Sequence, residues 1–136
     1  MSLILLAYKG KVLLMLRDFN PIALDNPVFS QENTWRFISG VKEKSKTLEE
    51  SILNKVVKIT GIRPQRIEFL SEGILNERKK YFYFANLTDK NVNEIQRNGQ
   101  VLQFFTVREL EKLNLTVSTR MFVDSHKELL LNLGKN

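Results

Sequence analysis

The chain has 136 residues, 43% hydrophobic and 26% charged, with a formal net charge of +6 and a pI of about 9.7. Such a chain is long enough to bury a core without staples and is expected to form one soluble domain over residues 1–136. It contains no cysteine, which excludes a disulfide framework, a cysteine zinc site and a thiol nucleophile, and points to a cytoplasmic protein. The positive charge leaves nucleic acid open as a partner.

Residues 1–7 are apolar but lack a basic leader segment and are far too short to span a bilayer, so no membrane association is expected. Strands are expected over 3–7 and 12–17. They are joined by Tyr8-Lys9-Gly10-Lys11, where glycine accepts the positive φ of a hairpin turn. Residues 18–34 carry two prolines and three asparagines and read as a long loop. A short strand is expected over 35–38. Its Trp35 packs inward, and Arg36 alternates to the other face.

The stretch 40–62, GVKEKSKTLEESILNKVVKITGI, reads as a loop feeding a helix. Thr47 is an N-cap, and Glu50 three residues on closes a capping box. Gly61 suits the C-terminal cap, and Pro64 stops the helix. Leu48, Ile52, Val56 and Ile59 fall on one stripe at 100° per residue, so this face packs on a core. Ser51, Lys55 and Lys58 form the neighbouring strip.

Strands are then expected over 66–75 and 81–87, joined by the polar turn 76–80. Tyr81, Phe82, Tyr83 and Phe84 put aromatic rings on both faces, as in a strand covered on both sides. Residues 89–99 suit a helical turn. A strand over 101–106 and a final helix over about 118–131, capped by Ser118 or Thr119, complete the chain. His126 is the sole histidine and is expected on an exposed helix with no serine to pair with, so it is not read as catalytic.

The stretch 40–62 resembles the Nudix box, G-x5-E-x7-R-E-U-x-E-E-x-G-U, without a gap: Gly40, Val56, Gly61 and Ile62 match its glycines and aliphatic positions. Trp35 to Gly40 is similar to the W-x-x-P-G-G run that leads into the box. VLLMLR, ending at Arg17, is similar to the family's early strand. Phe104-Phe105 with Glu109-Leu110 resembles the family's W-F-x-x-x-E-L run. The resemblance covers nearly the whole chain. It implies an α/β (α+β) fold, the Nudix α/β/α sandwich with a mixed central sheet. The residue pattern alone supports only α/β or α+β.

Every charged box position departs from the family. Lys46 replaces the loop glutamate, Asn54 the arginine, and Lys55, Lys58 and Ile59 the helix glutamates. The family pattern has four glutamates and one arginine there, net −3; this chain has three lysines, net +3. In the family the glutamates hold Mg²⁺ or Mn²⁺ against a diphosphate. Ammonium groups repel such ions, and at an effective dielectric of about 20 a like-charge pair 4 Å apart costs roughly 4 kcal/mol. The resemblance therefore implies a relative of nucleoside diphosphate-X pyrophosphohydrolases without metal-dependent hydrolysis, cofactor or metal.

Lys46, Lys55 and Lys58, with Arg17 and Arg36, are the candidates to bind a nucleotide or other phosphorylated ligand, and Phe19 and Phe29 the candidates to stack on its base. One alternative is an active hydrolase that rebuilds a Mg²⁺ or Mn²⁺ site from other carboxylates. Glu43, Glu49, Glu50, Glu72 and Glu77 are available for this, and Glu94 matches the region from which the family draws an extra ligand. A further alternative is a protein-interaction module, compatible with a homodimer through the sheet edge or the last helix.

Overall fold

The computed structural model describes residues 1–17, 33–97 and 99–134. β1 (Ser2–Tyr8) and β2 (Lys11–Leu16) form the expected hairpin, with Lys9 and Gly10 at φ 47° and 78° in its two-residue turn. β1 is buried along almost its whole length. Leu3, Leu5 and Ala7 enter one core, and Ile4 and Leu6 enter another. The two-residue period of a strand divides them this way, and both faces are covered. β6 (Arg78–Asn86) repeats the pattern: Phe82 and Phe84 on one side, Tyr83 and Ala85 on the other.

The remaining strands are β3 (Thr34–Arg36), β4 (Ile38–Gly40), β5 (Glu68–Leu75), β7 (Leu102–Thr106) and β8 (Asn114–Leu115). The sheet runs β5-β6-β1-β2-β3-β8, with β4 added to β1 and β7 to β2. β1 and β6 are parallel, as are β3 and β8, while the other pairs are antiparallel. α1 (Leu48–Thr60) covers one face through Ile52, Val56 and Ile59. α3 (Val117–Ser125) and α4 (Lys127–Gly134) cover the other through Phe122, Val123, Leu130 and Leu133. The result is an α/β/α sandwich with a mixed sheet. Short α2 (Asp89–Asn93) and a 3-10 turn at Arg108–Glu111 join strands at its rim. Among the described residues no helix is long and apolar enough to cross a membrane.

Three expected elements are corrected. The strand over 35–38 is split at Phe37, whose N–H donates to Thr119 Oγ1 (3.1 Å) while its ring packs on Phe122 with centroids 4.9 Å apart. β3 therefore pairs with β2, and β4 crosses to β1. The last helix is two helices. Its cap is Thr116, which accepts from Thr119 N (3.4 Å), and it breaks at His126 (φ −130°, ψ 39°). The second hairpin is tighter than read: only Asn76 and Glu77 turn, at φ 52° and 64°, and Arg78 to Lys80 already belong to β6.

Candidate functional site

α1 is fixed at both ends by local chemistry. Thr47 Oγ1 accepts from Glu50 N (3.0 Å), and Glu50 Oε1 accepts from Thr47 N (3.2 Å), closing the capping box. Those bonds from Thr47, and more weakly the charge of Lys46, hold the Glu50 carboxyl below its ordinary range. At the other end Gly61 turns left-handed at φ 75°, and its N–H donates to Val57 O (2.8 Å). Ile52, Val56 and Ile59 are buried, with Leu48 half-buried beside them. Ile59 is only 5% exposed, so a position that carries a metal-binding glutamate in the Nudix box is core here.

The neighbouring strip of α1 faces a small cleft. Ser51, Asn54, Lys55 and Lys58 line it from the helix, and Gly40, Val41 and Glu43 from the chain leaving β4; its volume is about 130 Å³. The Lys55 stem lies across Gly40, where an added Cβ would come within 3.3 Å of Lys55 Cγ, so glycine permits this approach. Ser51 Oγ donates to Thr47 O (2.8 Å) and accepts from Glu43 N (2.8 Å), tying the loop to the helix. Asn54 Nδ2 donates to Glu43 Oε2 (3.1 Å), and Lys46 Nζ lies 3.7 Å from the same oxygen.

Among the described residues, the one carboxylate in the cleft wall is thus held by an amide and an ammonium. A hard divalent cation needs several oxygen ligands free to turn toward it, and this donor set does not offer them. No group of three or more histidine, aspartate or glutamate side chains that could hold a metal occurs among the described residues. The described residues of the cleft do not fit the Mg²⁺ or Mn²⁺ of the Nudix pattern. They fit an anion, which accepts from ammonium and amide groups.

The other sequence candidates fall as follows. Lys46 reaches the cleft only through Glu43. Arg17 is exposed just past β2, its N–H donating to Thr34 O (2.9 Å), and does not line the cleft. Arg36 shares the α1-covered face with Met15, its register partner, but it too is absent from the cleft wall, with Nε buried. Phe19 and Phe29 lie outside the described residues.

The carboxylates of the alternative hydrolase reading do not gather. Glu50 is spent on the capping box, and Glu49 is exposed on α1 outside the cleft wall. Glu72 stands opposite Tyr81 in β5, Glu77 sits in the hairpin turn, and Glu94 caps the end of α2. Two larger cavities, of about 330 and 250 Å³, lie at the end of β6 and between α3 and α4. Size does not decide between them and the cleft, because only the cleft collects the box lysines.

His126 corrects a further expectation. It is half-buried, and its Nε2 lies 2.8 Å from Ser71 Oγ on β5. Nδ1 lies 2.9 Å from Phe122 O, a pure acceptor, so Nδ1 carries a proton, and in the neutral ring Ser71 O–H donates to Nε2. A separation of 55 residues hides this pair from any local pattern. Val41 and the Glu43–Asn54 bond were likewise missed, since only the fold of the loop brings them to the cleft.

No family model matches the chain, and no curated protein sequence matches it. Solved structures do. The Nudix domain of Shewanella oneidensis NrtR, complexed with ADP ribose, superposes with a TM-score of 0.67 at 17% identity, over 95% of this chain and 86% of that one. MutT, from a study of the Aliivibrio salmonicida and Vibrio cholerae proteins, gives 0.63 at 11% identity, over 99% and 94%. A chain in the complex of the mouse MUTYH C-terminal domain with human PCNA gives 0.65 at 16% identity, over 93% and 86%. With this topology and the gap-free spacing from Gly40 to Ile62, the chain has the Nudix fold.

Proposed function

We propose that the protein binds the phosphate end of a nucleotide or related phosphorylated small molecule in the cleft beside α1, and that it does so without metal-dependent hydrolysis. The carrying observation is the cleft's donor set among the described residues: Lys55 laid across Gly40, Lys58 and Asn54 beside it, and Glu43 already tied to Asn54 and Lys46. A cleft of about 130 Å³ is smaller than the roughly 300 Å³ at which whole small-molecule pockets begin, so it suits a phosphate or diphosphate end. The ADP ribose held by the NrtR neighbour supports a nucleotide-derived ligand.

The test is thermal shift against nucleotides and nucleotide sugars, run in EDTA and again in Mg²⁺. A ligand at about 100 times its Kd adds roughly 2.7 kcal/mol, an easily measured shift. The expected result is stabilisation that survives EDTA, disappears in Lys55→Glu, and leaves the ligand intact. Stabilisation that needs Mg²⁺, with turnover of the ligand, returns the protein to the hydrolases. A second reading, a protein-interaction module, draws support from the neighbour found in the PCNA complex. No nucleotide shift in either buffer, together with a specific partner in pull-down, favours it.

A further inference from the structure

Most of the protein's net charge sits at one end of the sheet. Residues 41–46 leave β4 there, and residues 76–80 form the β5–β6 turn and the start of β6. These two segments hold Lys42, Lys44, Lys46, Arg78, Lys79 and Lys80 against Glu43 and Glu77, a net +4 of the chain's +6. All are exposed except half-buried Lys80. Among the described residues Lys42, Lys44, Arg78 and Lys79 make no ion pair, while Lys46 faces Glu43.

Register sets the two segments side by side. Ser2 stands between Gly40 of β4 and Tyr81 of β6. Tyr81 N donates to Met1 O (3.1 Å), and Lys80 Nζ lies 3.7 Å from Met1 Sδ. Two strand spacings, about 10 Å, separate the β4 and β6 backbones; Lys79 alternates to the α1-covered face of Tyr83 and Arg78 and Lys80 to the face of Phe82, so a ligand that crosses this end of the sheet meets cations from both faces. Apolar side chains are interleaved with the cations: Val41 is 70% exposed, Ile74 opposite Lys79 is 66%, and Met1 is 39%. A bare polyphosphate has nothing to lay on these, whereas a nucleobase has an apolar face.

We propose that this rim is a track for a single-stranded oligonucleotide. Its terminal phosphate lies at Lys55, a clause that rests on the function proposed above. Its following phosphates cross Met1 to Arg78, Lys79 and Lys80.

The probe is a 5′-phosphorylated, 3′-fluorescein-labelled deoxythymidine decamer, followed by anisotropy from low to moderate salt. The expected binding weakens with salt. The variant Arg78→Gln/Lys79→Gln/Lys80→Gln lowers affinity at least tenfold and reduces the magnitude of the salt slope by about 2, at roughly 0.7 per phosphate contact on a single strand. The exposed pair Arg78→Gln/Lys79→Gln shows most of the effect and guards against a folding defect at half-buried Lys80. Neither variant changes the mononucleotide thermal shift, which depends on Lys55. Decamer binding that is unchanged in both hairpin variants overturns the track. Equal competition by inorganic polyphosphate of the same phosphate number overturns the assignment to nucleic acid. A mononucleotide shift lost in Lys55→Glu with no decamer binding leaves the cleft reading standing and removes the track; hairpin-dependent decamer binding without a mononucleotide shift does the reverse.

Discussion

The two helical layers grip the same sheet by different means. α1 is a continuous helix whose ends are closed by its own neighbours, Thr47 with Glu50 at one end and Gly61 at the other. The opposite layer is broken into α3 and α4, and the break is made by contacts from elsewhere in the chain. His126 bonds Ser71 on the edge strand and packs edge-on against Phe82, while Phe122 packs at a tilt between Phe37 and Phe82. One layer is written in local signals, and the other exists because distant aromatic rings meet. Local closure leaves the outward strip of α1 free to vary, and that strip carries Lys55 and Lys58 to the cleft.

The sharpest way to break this contrast is to remove its non-local keystone. Phe122 is fully buried against two phenylalanine rings and His126. Phe122→Ala is expected to cost about 3–5 kcal/mol in denaturant unfolding. It should also loosen α3 and α4 first in hydrogen exchange, while α1 keeps its protection.

The second test restores the family residue on the other side. Ile59→Glu puts a carboxylate into the core cluster around Ile52, Val56 and Tyr83. A loss of about 3 kcal/mol at neutral pH is expected, since the charge has no partner there. Burial raises the new carboxyl's pKa, so the deficit should shrink as the pH falls toward it. A stable Ile59→Glu protein that gains Mg²⁺ binding would falsify the statement that this position has become core.

Smaller effects sharpen the comparison. Thr47→Ala removes the N-cap of α1 and is expected to cost about 1 kcal/mol. The folded Glu50 pKa lies below its unfolded value of 4.5, so its contribution is present above that pH and is lost as pH falls through the depressed folded value. The stability gap between wild type and Glu50→Gln should therefore narrow in acid, as followed by thermal melts from pH 7 to pH 3. Ser71→Ala leaves His126 Nε2 without its donor and should cost about 0.5–1.5 kcal/mol. Nitrogen NMR of the His126 ring should show the Nδ1–H tautomer in wild type and a more mixed one in the variant. An unchanged spectrum would mean that Phe122 O alone sets the tautomer.

Short-range patterns carried the parts of the molecule that short-range physics controls. The capping box, the Gly61 terminus, the buried stripe of α1 and the two-faced aromatic run of β6 are legible because each depends on residues within a few positions of one another. The Gly40-to-Ile62 spacing and the element order likewise carried the fold. The amino-acid sequence also put Lys46, Lys55 and Lys58 where the Nudix pattern it resembles has glutamates. Tertiary structure decided the rest. It split the strand at Phe37 for the sake of Thr119 and broke the last helix where His126 meets Ser71. It also closed Glu43 onto Asn54 and Lys46, and drew two basic segments together at one end of the sheet. Each of these joins groups that only the strand order brings within reach, and in each the bond or the packing outweighs the local preference for a continuous element.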